Sequence, residues 1–139
     1  MLSKISLVVL SVLASSSQAF AYPPRLWQRQ PVEQMLAAVA NQNLGALCSV
    51  IFRDAHTRYC SEGGLRELSA FVAGRDLVAS SVSYDGDVPG RDANYSAVAV
   101  RVVERGNEAA GVVMTVRDEC WRQGRGGRHC RIYDLTLGH

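Results

Sequence analysis

Four cysteines constrain this chain more than any other feature: Cys48, Cys60, Cys120 and Cys130. A cross-link restricts which segments can be neighbours, so their pairing limits the available topologies. Three pairings are possible. Nearness in the chain favours Cys48–Cys60 and Cys120–Cys130, each bracketing a turn. Short loops of this kind add about 2–3 kcal/mol each by restricting the unfolded chain. Zinc sites use tighter C-x₂₋₄-C spacing, which neither pair shows, so no metal is expected.

Disulfides belong to oxidising compartments, and the N-terminus agrees. Lys4 gives a basic start, Ile5–Ala14 is an apolar run, and Ala19-Phe20-Ala21 is an A-x-A cleavage pattern. This is the order of a secretory signal peptide. The run is too short for a span, which needs about twenty apolar residues, so no membrane span is expected. The expectation is a signal peptide over 1–21, removed after Ala21, and a secreted protein, extracellular or periplasmic. The rest is one domain's worth of chain.

The formal net charge is +2 and drops by one with Lys4, the only lysine. So weak a charge argues against nucleic acid as a partner. Residues 22–31 hold three prolines and read as an extended strap. From Pro31 the positions Val32, Met35, Leu36, Val39 and Ala40 make one apolar helical face. Ala46–Phe52 reads as a short buried segment and Arg53–Tyr59 as a polar loop. Ser61 opens a second helix, with Leu65, Leu68 and Val72 on its apolar face and Gly74 as its stop.

From Leu77 the period becomes two, with strands expected at about 77–84, 94–104, 109–120 and 129–137. A turn at 105–107 sets Val102, Val100 and Val98 opposite Ala110, Val112 and Met114, building one apolar face. Arg101, Thr115 and Arg117 take the other. Cys120 opposite Cys130 pairs Val116 with Asp134. Either a bulge then shifts the parity of the last strand, or Asp134 points to the core side. The fold class is α+β, two N-terminal helices on a curved four-stranded antiparallel sheet, with domain 32–139 following the strap.

Met35–Leu47 and Gly64–Phe71, followed by this meander, resemble the first and later helices of the NTF2-like superfamily. A cystatin-like helix-on-sheet fold is similar too. The resemblance implies a cone with an open mouth. It carries over no catalytic residue, because no motif fixes a position.

The distinctive stretch is 121–129. Trp121, Arg122, Arg125, Arg128 and His129 lie among three glycines and form a basic finger tied at its base by Cys120–Cys130. Arginine's planar fork suits carboxylate, sulfate and phosphate. Asp134 with Tyr133 is the pocket candidate. Asp85, Asp87 and Asp92 crowd one turn but lack EF-hand spacing. No catalytic motif stands out and no cofactor is expected. The chain reads as a small exported binding protein of effector, inhibitor or envelope-accessory type, and not as an enzyme. Its partner would be another protein or a small anionic ligand. One alternative is an NTF2-like enzyme or ligand carrier with a pocket acid. Another is a secreted nuclease using Glu119, Arg117 and His129.

Overall fold

A computed structural model describes residues 22–138; the segment read as a signal peptide lies outside the described residues. Four helices precede the sheet: α1 (Leu26–Ala40), α2 (Leu44–Val50), α3 (Arg53–Tyr59) and α4 (Glu62–Val72). Four strands follow: β1 (Leu77–Asp87), β2 (Tyr95–Glu104), β3 (Met114–Arg122) and β4 (Arg128–Leu137). They form one antiparallel sheet in the order β1-β2-β3-β4. The class is α+β, as expected, with four helices in place of two.

The strap is shorter than its prolines implied. Only Tyr22–Arg25 is extended, and α1 starts at Leu26, with Pro31 inside it. Proline costs α1 one backbone hydrogen bond there. Gln28 compensates at the helix start: its Oε1 accepts the Arg25 N–H at 3.0 Å, and its Nε2 donates to the Tyr84 hydroxyl at 3.1 Å. Tyr22 is bridged to β1 through two backbone hydrogen bonds with Val82, each 2.7 Å.

Arg53–Tyr59 is a helix and not a loop. It is polar because one side faces water, while Ala55 and Tyr59 are buried. Cys48–Cys60 joins α2 to the end of this turn, which holds a helix too short to persist alone. Ser61 caps α4, its Oγ accepting the Gly64 N–H at 3.0 Å. Gly64 is needed for packing: a Cβ there would lie 2.4 Å from the Tyr59 carbonyl oxygen.

Between sheet and helices lies an apolar core of Val32, Met35 and Val39 from α1, Leu47, Leu68, and Val98, Val100, Val102, Met114, Val116 and Ile132 from the strands. Both sheet edges carry a bridge, Tyr22 on β1 and Ile51 on β4. The β2–β3 register differs from expectation by four residues: Val102 faces Met114 and Val100 faces Val116. A 3-10 turn at Glu108–Ala110 and Gly111 at φ 96 lengthen the connection, so β3 starts at Met114. An even shift preserves the faces, and Arg101, Thr115 and Arg117 stay opposite the core side.

The β3–β4 register resolves the alternatives left open for Asp134. Cys120 faces Cys130, but Arg117 faces Asp134 and Asp118 faces Ile132, leaving Tyr133 as the bulged residue. Leu135 therefore reaches the core opposite Val116, and Asp134 goes to the outer face.

Candidate functional site

Alternation divides the expected basic finger between two faces. Trp121 stacks between Tyr95 and His129 on the outer face, with ring centroids 5.6 and 5.8 Å apart. Arg122 and Arg128 fall on the other face, one step beyond the disulfide. The loop itself is only Gln123–Gly127, closed by Gln123 N–H to Gly127 C=O at 3.2 Å. Arg125 is exposed at its tip.

Arg122 and Arg128 are directly opposed across β3 and β4. Like charges in that position repel. Among the described residues, no carboxylate forms an ion pair with either. Arg128 lies over the Trp27 ring, 5.1 Å from its centroid. Together with Trp121, Tyr84, Trp27, Asn94, Ser96 and Cys120 the two arginines line a cleft of about 230 Å³. It opens where the sheet extends past the start of α1. No carboxylate or imidazole lines it. Its chemistry is that of an anion receptor with aromatic walls: two guanidiniums, an amide, two hydroxyls and the rings of Trp27 and Tyr84, with Trp121 at the margin.

Sequence reasoning placed Trp121, Arg122 and Arg128 here and missed Trp27, Tyr84, Asn94 and Ser96. Trp27 carried a signal, as a lone aromatic in a polar stretch. Tyr84 carried none, and Asn94 and Ser96 stood out only as an Asn-x-Ser glycosylation sequon, because strand ends converge only in the folded sheet.

The outer face carries a second polar cluster. Glu119 is buried and pairs with three arginines: Arg53 at 3.5 Å, Arg91 at 3.3 Å, and Arg131. Burial pushes the Glu119 carboxyl up, but hydrogen bonds and charge from Arg131 and Arg91 outweigh it and leave its pKa below the ordinary value. Arg91 belongs to the β1–β2 connection, and Arg53 also donates to the Pro89 carbonyl at 2.7 Å. The cluster thus clamps that connection, in which Val88 is buried, onto the sheet. With its oxygens already engaged, Glu119 is a clamp and has no free lone pair to serve as a base.

Neither pocket candidate lines the cleft. Asp134 accepts the Leu135 N–H at 2.9 Å, and Arg53 lies over the Tyr133 ring at 5.9 Å. Burial raises the Tyr133 phenol, with Arg117 opposing. The acid on the core side is Asp118 instead. It is wholly buried, and neither of its carboxylate oxygens has a hydrogen-bond partner. Burial alone raises its pKa well above the ordinary carboxylate range. Its signal was legible, since it falls between Val116 and Cys120 in the core-facing alternation of β3.

All four cysteines are paired, Cys48–Cys60 and Cys120–Cys130. Among the described residues, no helix is long and apolar enough to cross a membrane.

Comparison with family models, with curated proteins and with solved structures finds no match to this chain. The functional reading accordingly rests on the geometry above.

Proposed function

We propose that this chain is an exported, disulfide-framed binding protein that holds a small anionic ligand in the cleft between Trp27, Tyr84 and the Arg122–Arg128 pair. The observation that carries this reading is the opposed pair itself. Two arginines are cross-strand partners with no carboxylate paired to either among the described residues, and an anion bound beside them would relieve the repulsion of like charges. The aromatic walls favour a ligand whose acid group is attached to a flat apolar body. The cleft of about 230 Å³ limits it to something of the size of an aryl carboxylate. Export is part of the proposal; it is supported by the signal-like N-terminus and by two disulfides. Kinship with the NTF2-like superfamily is likewise proposed, on the strength of helices packed on a meander sheet.

The enzyme alternative finds less support, because Asp134 and Tyr133 stand outside the cleft. The nuclease alternative, which calls for Glu119 or His129 as a base, loses Glu119 to three arginines, and its His129 stacks against Trp121.

Both tryptophans of the chain line this cleft, so intrinsic fluorescence reports on it directly. Titration with benzoate is expected to give a saturable change, stronger than that with inorganic sulfate. The double variant Arg122→Ala, Arg128→Ala should weaken it about tenfold or more, with an unchanged or higher melting temperature. Arg125→Ala should bind as the parent does. A response without saturation, or one equal in the double variant, overturns the reading.

A further inference from the structure

We propose that Cys120–Cys130 is a thiol-exchange site whose buried acid, Asp118, protonates the departing Cys120 sulfur. Three features of the molecule meet there. The carboxyl oxygen of Asp118 and both sulfurs lie within 4.8 Å of one another. Asp118 is wholly enclosed with neither oxygen bonded, a costly arrangement with no structural return. And the disulfide is reachable: Cys120 forms part of the wall of the cleft described above, and Cys130 of a neighbouring one beside Trp27, Arg128 and His129.

Burial sets the direction of attack. Cys130 is partly exposed, whereas Cys120 is buried. An incoming thiolate, drawn by Arg128, reaches the Cys130 sulfur. The new bond joins the attacking sulfur to Cys130, and the electron pair of the broken S–S bond goes to Cys120. A thiolate left in that apolar space is poorly solvated. The Asp118 carboxyl gives it a proton and becomes a carboxylate, which solvent reprotonates. A second thiol then attacks the mixed disulfide, releasing the oxidised two-sulfur form of the reductant and leaving both cysteines reduced. The reductant is a small thiol or dithiol. In reverse, the carboxylate takes the Cys120 proton and generates the attacking thiolate.

The surroundings leave Asp118 as the proton source. Across the sheet it faces Val98 on β2 and Ile132 on β4. The buried side of α1 carries Gln28, Val32, Met35 and Val39, none of which titrates. Tyr59 on α3 is a phenol raised by burial, so it stays neutral where a carboxyl ionises. Arg128 and His129 stand at the Cys130 side. Cys48–Cys60 supplies the internal comparison: its neighbour within the same distance is the exposed His56, and among the described residues no acid joins that group.

The test uses the whole disulfide-bonded protein. Dithiothreitol opens the bonds at a series of pH values, alkylation traps the thiols, and peptide mass analysis assigns them. Rates are divided by the dithiothreitol thiolate concentration. Cys120–Cys130 is expected to open first, with a per-thiolate rate that is flat in acid and falls about tenfold or more as Asp118 ionises. Asp118→Asn should be slower in acid by a similar factor, with a flat profile and an unchanged far-ultraviolet dichroism spectrum. If that variant fails to fold, the parent's pH profile decides. A flat parent profile, or an asparagine variant that matches the parent, overturns the proposal.

Discussion

Replacing Glu119 by glutamine should cost this fold more than any other single change on the outer face of the sheet. The substitution keeps the shape and removes the charge. Glu119 is 0% exposed, while Arg53, Arg91 and Arg131 retain 36, 33 and 26% exposure. Removing one partner from a buried ion pair costs about 3–5 kcal/mol. The guanidiniums can partly turn to water, which sets the expectation at the low end, about 3 kcal/mol. For a domain of this size that is a fall in melting temperature of roughly 12 °C. The connection that Arg91 and Pro89 anchor should loosen as well, read as faster amide exchange at 88–94. The sign with pH follows from the lowered pKa. The contribution of Glu119 is complete above its unfolded value, about 4.3, and is lost as pH falls through the lower folded value. Parent and variant stabilities should therefore converge in acid. Thermal unfolding followed by circular dichroism across that range is the assay. The exposed pair Arg58–Glu67, at 3.5 Å, serves as the control, where Glu67→Gln should change stability by less than about 0.5 kcal/mol. A fall of under about 3 °C for the Glu119 variant at neutral pH would refute the clamp.

Gly64→Ala should destabilise by about 3 kcal/mol, since its Cβ would meet backbone atoms of Tyr59 at 2.4–2.6 Å; urea unfolding measures it, and a loss under about 1 kcal/mol would mean that α4 slides freely. Cys48→Ser with Cys60→Ser removes a bond spanning 12 residues and should cost about 3 kcal/mol, by the same measurement, while leaving benzoate binding in the cleft unchanged.

Much of this architecture was legible because its causes are local. The Ser61 cap, the apolar stripe of α1 and the two-residue alternation of β2 all depend on neighbours within one turn or one pleat. The β3 faces survived a wrong register because an even shift preserves parity. Arg53–Tyr59 misled because a short helix held by a disulfide and packed on β4 needs little apolar surface of its own. The parity of β4 stayed open in the sequence because whether a strand absorbs one extra residue, here Tyr133, depends on what both faces must bury. The opposition of Arg122 and Arg128 followed from setting Cys120 against Cys130, yet its meaning depends on an absent counter-charge, which only three-dimensional neighbours reveal.

By itself, then, the sequence determined the fold class, the two disulfides, which residues of β2 and β3 look inward, and that Trp121, Arg122 and Arg128 gather at one hairpin. These follow from short-range periodicity and from cysteines 12 and 10 residues apart. Tertiary structure decided the rest. Glu119 meets Arg53 across 66 residues and Arg91 across 28, and Gln28 meets Tyr84 across 56. Such contacts depend on how helices, sheet and connections pack together, and no local pattern encodes them. The same packing decided that Asp134 faces outward, because one bulged residue on β4 reverses every side chain beyond it, while Asp118 on β3 keeps the inward position its alternation gives.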